Sequence, residues 1–139
     1  MMDNVAFRLV RYWFEEAQFH LSYVLGEKKI NIDFQPSGVY QKDKGIYHLS
    51  FVFVAWEYNK TQEDFAVKVK CNAEFQFNGA IGVDEIPAFF YSNSIAIVFP
   101  YVRAFVSTLT LQANVQPMLL PTINLSSLQE TLRKNTEVR

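Results

Sequence analysis

"FAVKVKCNAEFQF", residues 65–77, alternates without a break. Phe65, Val67, Val69, Cys71, Ala73, Phe75 and Phe77 share one side; Ala66, Lys68, Lys70, Asn72, Glu74 and Gln76 share the other. Successive side chains on a strand point to opposite faces, so a strict period of two describes a strand with one covered and one wet face. Antiparallel sheets allow that arrangement, whereas parallel sheets cover both faces.

Upstream, "NKTQED" (59–64) reads as a turn, which makes the preceding "GIYHLSFVFVAWEY" (45–58) the hairpin partner. Tyr47, Leu49, Phe51, Phe53 and Ala55 share its inner face, and Val52, Val54 and Trp56 make the middle of its outer face apolar as well. In "GEKKINIDFQPSG" (26–38), Ile30, Ile32 and Phe34 alternate with Asn31 and Asp33, giving a short strand that ends at Pro36-Ser37-Gly38. In "AFRLVRYWFEEAQFHL" (6–21), Phe7, Leu9 and Arg11 alternate with Arg8, Val10 and Tyr12, which gives the first of four strands.

Downstream the period changes. "NGAIGVDEIPAFF" (78–90) ends the strand with glycines, and Asp84 is placed to cap a helix beginning near Pro87. Val98, Val102, Phe105 and Leu109 then recur at helical spacing, joined by Phe99, Tyr101 and Val106, with Arg103, Ser107 and Thr110 as a narrow polar stripe. Ser92-Asn93-Ser94, Pro100 and Arg103 argue against a membrane span, and Pro100 predicts a kink or restart. A helix apolar around most of its circumference needs cover on two sides. The sheet provides one, and a second copy of the chain is the expected other. "NVQPMLLPTINLSSL" (114–128) is a proline-punctuated loop. Asn124 or Ser126 is placed to cap a last helix, "SSLQETLRKN" (126–135), with Leu128 and Leu132 on one side, and the tail "TEVR" is expected to fray. Strands first and helices after them describe an α+β domain.

The bulk composition agrees with one folded domain over residues 1–139, with residues 1–5 and 134–139 as flexible ends. Hydrophobic residues make up 50% and charged residues 19%, and thirteen Phe exceed what one small core needs, so some are expected to face a partner or a groove. A net charge of −1 gives no reason to expect nucleic acid. The first eighteen residues carry charges at Asp3, Arg8, Arg11, Glu15 and Glu16, with no apolar signal-peptide run, which points to the cytoplasm.

No catalytic set is visible. The only histidines, His20 and His48, lack metal-ligand spacing, and Cys71 is the sole cysteine and reads as a buried thiol. Glu15 and Glu16 are strand neighbours expected to point to opposite faces. "FNGAIG" (77–82) lacks a phosphate-loop pattern, and Lys68, Lys70 and Glu74 read as solvated charges.

The stretch "IVFPYVRAFVSTLTLQANVQPMLLPTINLSSL", residues 97–128, resembles the SecB family of export chaperones. The specific parts are "FPYVR" (99–103) and "PTINL" (121–125), with "EFQFNG" (74–79) similar to the end of a fourth strand and "FRLVRYWFEEAQF" (7–19) to a first. The resemblance implies a four-stranded antiparallel sheet with two helices on one face, and a dimer of dimers joined through the long helices. It further implies binding of unfolded polypeptides in apolar grooves, without ATP, cofactor or metal, and delivery of precursors to the translocase motor SecA. Some relatives instead protect the antitoxin of a toxin–antitoxin pair.

On this reading Tyr23, Leu25, Ile30, Ile32, Phe51, Phe53 and Leu125 contact clients, with Leu125 where the resemblance places an aromatic at the base of the groove. Phe99, Tyr101, Val102, Phe105, Val106 and Leu109 form the homotetramer interface. Glu16 matches a family acidic residue that contacts SecA, while His20 and Lys68 stand where others are acidic. A reversed charge at Lys68 opposes a basic partner surface. "HLSYVLGEKK" (20–29) replaces a longer, Trp-bearing crossover, with Tyr23 and Leu25 as substitutes, and "ETLRKNTEVR" (130–139) lacks the family's acidic tail.

Overall fold

The structure, a computed structural model, describes residues 5–20, 29–115, 117–120 and 124–139. The alternating stretch forms β4 (Val67–Phe77), and its expected hairpin partner forms β3 (Ile46–Glu57). With β1 (Phe7–Phe19), β2 (Ile30–Gln41) and β5 (Thr136–Val138) they make one sheet in the order β1-β4-β3-β2-β5. β1 to β4 pair antiparallel, but β5 lies parallel to β2, with Gly38 opposite Thr136 and Tyr40 opposite Val138. The sheet is therefore five-stranded and mixed, not four-stranded and antiparallel. The tail expected to fray is a strand.

Period two on β4 predicts its burial. Val67, Val69, Cys71, Ala73, Phe75 and Phe77 are buried, as are Tyr47, Leu49, Phe51, Phe53 and Ala55 on β3. β1 departs from its simple alternation. Its register slips between Leu9 and Arg11 and again between Phe14 and Glu16. Each slip adds a residue to one strand only, as a β-bulge does. The residues opposite the inner face of β4 become Phe7, Leu9, Tyr12, Phe14, Ala17 and Phe19. Arg11, expected beside Phe7 and Leu9, lies instead opposite Glu74, and its guanidinium sits 4.6 Å from the Trp13 ring.

β2 runs through Pro36 rather than stopping there. The amide of Gly38 donates to Asn135 O (3.1 Å) and the Asn135 side chain donates to Pro36 O (3.2 Å), so even-numbered residues of β2 turn their backbone toward β5. The N–H that Pro36 lacks therefore falls on the edge side, away from β3, where proline is tolerated. Gly45, at φ +66°, closes the β2–β3 turn.

α1 (Ala88–Gln112) is one helix of 25 residues that begins just after Pro87. Ser92 and Ser94 do not interrupt it, because their hydroxyls donate to Phe89 O and Tyr91 O. Pro100 lies on its exposed side and is accommodated without a restart. Asp84 does not cap α1. It sits in a short 3-10 turn whose Glu85 carboxylate accepts from Gly82 N–H. α1 is long and apolar enough to span a membrane by length and composition alone. Here Phe90, Ile95, Val98, Val102 and Val106 on one side fill the core against the sheet. Asn124 accepts from Ser126 N–H to cap a 3-10 turn (Leu125–Leu128) that leads into α2 (Gln129–Lys134). α2 packs between α1 and β2 through the fully buried Leu132.

Candidate binding groove at the sheet edge

The inner face of β2 carries Ile30, Ile32 and Phe34, each half-buried, and Leu128 of the 3-10 turn stands across from Ile32 and Phe34. Between them lies an open cavity of about 280 Å³ lined by Ile32, Asp33, Phe34, Asn124, Ser127 and Leu128. Phe34 forms its aromatic wall. Its ring stacks on Phe51 (5.4 Å, 13°) and meets Phe99 edge-on (5.6 Å, 74°). Among the described residues, no strand pairs with β2 before Gly38, so the backbone edge of Ile30–Phe34 borders the cavity without a ladder. Apolar walls beside an open strand edge suit an extended polypeptide, which pairs by main chain and inserts alternate side chains.

Of the residues expected to contact clients, Ile32 lines this cavity, while Ile30 and Leu125 are partly buried against the same core without lining it. Phe51 and Phe53 do not reach the surface. Both are fully buried and support Phe34 from below. Tyr23 and Leu25 fall outside the described residues. Phe34 and Leu128 belong to the groove although sequence reasoning did not select them. The alternation Ile30-Ile32-Phe34 already contained the signal for Phe34.

The helix residues expected between subunits divide in two. Phe99, Val102 and Val106 lie in the chain's own core, because α1 turns them onto the sheet. Tyr101 stacks on Tyr12 (4.1 Å) and Phe105 on Phe14 (3.9 Å), joining α1 to β1, and Leu109 is half-buried. The apolar side of α1 left open is formed by Phe89, Ile97, Tyr101 and Leu111.

The outer sheet face is polar and internally bonded. Asn72 is buried. Its side-chain oxygen accepts from Ser50 (2.9 Å) and lies 3.2 Å from His48 Nε2, while its amide donates to Glu15 (2.6 Å). Lys70 pairs with Glu15 at 3.5 Å, and Gln18 donates to Glu16 at 2.7 Å. Glu15 and Glu16 thus share the outer face, against the expectation that they oppose each other, because the bulge between Phe14 and Glu16 inserts a residue. The Asn72 hydrogen bond, helped by Lys70, holds the Glu15 carboxyl below its usual range. Burial pushes the Cys71 thiol up to about 12, which leaves it protonated and unreactive at neutral pH. Among the described residues no cluster of His, Cys, Asp and Glu is placed to hold a metal.

The sequence model described as preprotein translocase subunit SecB matches residues 15–135. The chain belongs to the SecB family. SecB proteins are chaperones without enzymatic activity, and this chain is not an enzyme. A SecB-like chaperone of Mycobacterium tuberculosis, Rv1957, solved in complex with a ChAD peptide from the HigA1 antitoxin, superposes with a TM-score of 0.59 over 87% of each chain, at 17% identity. A protein of unknown function from Streptococcus agalactiae superposes with a TM-score of 0.49 and 9% identity, over 86% of this chain and all of that one. An uncharacterized protein of Methanocaldococcus jannaschii, MJ0357, is 44% identical over 59 residues. That match takes in 40% of this chain and 38% of the relative's length.

Proposed function

We propose that this single SecB-like domain is an ATP-independent holding chaperone of the cytoplasm, binding unfolded or non-native polypeptides, including precursors destined for the Sec translocase. The observation that carries the proposal is the half-buried groove walled by Ile32, Phe34 and Leu128, beside a stretch of β2 that no strand pairs on its outer edge among the described residues. Apolar client side chains leaving water gain roughly 25 cal/mol per Å² buried. Client backbone pairing to Ile32 and Phe34 adds affinity without demanding a sequence. A protein that binds only the unfolded chain holds it unfolded by mass action.

The working form in this proposal is a homotetramer, a dimer of dimers that covers the open side of α1. Glu16 is the one family acidic position retained for SecA, and Lys68 on the same face weighs against tight docking to a basic surface.

A second reading has its own support. The Mycobacterium tuberculosis structure is a SecB-like chaperone holding an antitoxin peptide, and dedication to one such partner uses the same groove. Size-exclusion chromatography with light scattering tests both. The holding reading expects an assembly near four times 16.1 kDa that co-elutes with several reduced, unfolded clients. Co-elution with a single native partner and no unfolded client moves the assignment to the dedicated form. Failure to retain any polypeptide overturns both.

A further inference from the structure

β5 lies on the same edge of β2 that the groove borders, a little further along. The amides of Gly38 and Lys42 donate to Asn135 O and Arg139 O (both 3.1 Å), and the Arg139 amide donates to Tyr40 O (2.8 Å). The alternation of a parallel ladder brings Glu137 into the same line. Among the described residues, further anchors come from Asn135, whose side chain donates to Pro36 O, and from Thr136. Thr136 donates its hydroxyl to Leu132 O (2.8 Å) and meets the Tyr47 hydroxyl at 2.6 Å. Glu137 and Val138 are exposed, so little apolar burial secures the strand.

The two halves of this edge are unequal. Before β5, the outward amides are those of Ile30, Ile32 and Phe34, and Pro36 then interrupts the row of donors. Beyond Pro36, Gly38, Tyr40 and Lys42 offer an unbroken row, and the chain's own β5 occupies it. An extended client lying along Ile30–Phe34 therefore reaches the better half of the edge only by removing β5.

We infer that the β2 edge from Gly38 to Lys42 is a second strand-addition site, filled by β5 in the free protein and taken over by an extended client segment that displaces it. The seated β5 is itself the argument for the occupant, since it is an extended peptide already paired there. This inference rests on the holding reading above. Displacement costs the free chain the β5 anchors, so apparent client affinity falls by the fraction of time the edge is open.

Amide hydrogen exchange on the unmodified protein, with and without a reduced and carboxymethylated client, reads the exchange of strands directly. With client bound, the Arg139 amide is expected to lose protection while Gly38 and Lys42 keep theirs, now bonded to client carbonyls. Protection of Arg139 that persists at saturating client overturns the inference and leaves holding intact. Absence of client binding overturns both. Glu137→Pro gives an independent reading. Proline at this exposed position removes a β5 donor without touching the core, and client binding is expected to tighten roughly tenfold. Unchanged affinity in a variant whose Gly38 and Lys42 amides have lost their protection in the free protein overturns the inference.

Discussion

Tyr47 crosses directly over Gly38: a Cβ built at Gly38 falls 2.1 Å from the Tyr47 hydroxyl. The absent side chain is what lets a fully buried tyrosine of β3 reach Thr136 of β5, pairing hydroxyls at 2.6 Å. The same ring packs on Phe90 of α1 at 4.8 Å. Gly38→Ala is therefore expected to push Tyr47 off both partners and cost roughly 1–3 kcal/mol as an overpacked core does. Urea unfolding measures it. A midpoint equal to that of the parent would show that Tyr47 moves aside freely and that the contact is not a constraint.

The strands β3 and β4 were legible because their alternation runs unbroken and the hairpin places both inner faces on one core. β1 was only half legible. Its aromatic and branched residues call for a strand, but the two register slips leave no mark in the sequence, so Arg11 and the Glu15–Glu16 pair were assigned to the wrong faces. β5 was illegible because three mostly polar residues carry no pattern, and what holds them is Tyr47, 89 positions away. Pro100 predicts a kink or restart in α1, yet the helix runs unbroken, and the serines of Ser92-Asn93-Ser94 cost it little because helix carbonyls accept their hydroxyls. Of the residues the sequence offers for the groove, Ile32 is the one that lines the cavity. Phe51 and Phe53 were overcalled, since alternation finds the inner face of a strand without telling its buried middle from its open edge.

Asn72 links three strands through His48, Ser50 and Glu15. Asn72→Ala removes the partner of each at a buried position and is expected to cost roughly 1–3 kcal/mol. The Glu15 carboxyl, held low chiefly by the Asn72 amide, is expected to move back up toward its ordinary value in this variant. A depressed carboxyl stabilises the fold above its unfolded pKa and loses that contribution as pH falls through its folded value. The parent should thus lose stability on acidification below about pH 4.5, with the Glu15 share absent from the variant. Carboxyl titration by NMR gives the shift; a Glu15 that titrates identically in both proteins would remove Asn72 as its cause.

Cys71 lies fully buried on β4, and burial raises its thiol to about 12 from an ordinary 9.0. Thiol reagents at neutral pH are expected to label it only after unfolding. The sign at high pH follows from the same shift: the unfolded chain ionises first, so the stability that the buried neutral thiol allows is present below about pH 9 and lost as pH rises toward 12. Tyr47 and Tyr40, also raised by burial, act in the same direction. The denaturant midpoint should be lower above pH 10 than at neutral pH, and the difference should shrink in Cys71→Ala. An equal fall in both proteins would assign the alkaline loss to the tyrosines.

Ile32 is half-buried on the groove wall, with one side against the core and the other lining the cavity. Ile32→Ser should weaken binding of an unfolded client roughly tenfold, the effect of losing about 1.4 kcal/mol of apolar contact. The fold should lose roughly 1–2 kcal/mol, since only part of the side chain is buried, and remain folded. Fluorescence titration with a labelled, carboxymethylated client separates the two effects. Undiminished affinity would place the client elsewhere on the molecule.

Ile97 stands at the centre of the open side of α1, 37% exposed in the single chain, between Phe89 and Tyr101 along the helix. A charge at this position is solvated if the helix face is free. It is desolvated without a partner if a second copy covers it, at a cost of several kcal/mol for each ion. Ile97→Glu is therefore expected to reduce the assembled mass by half or more in light scattering, while the circular dichroism and thermal unfolding of the subunit stay near those of the parent, because Ile97 adds little to its core. Phe99→Glu is the contrasting variant. Phe99 is buried against Phe34 within the chain, so a carboxylate there should unfold the subunit itself. An unchanged mass for Ile97→Glu would show that subunits meet through another surface, and β1, the edge strand among the described residues, would be the next to alter.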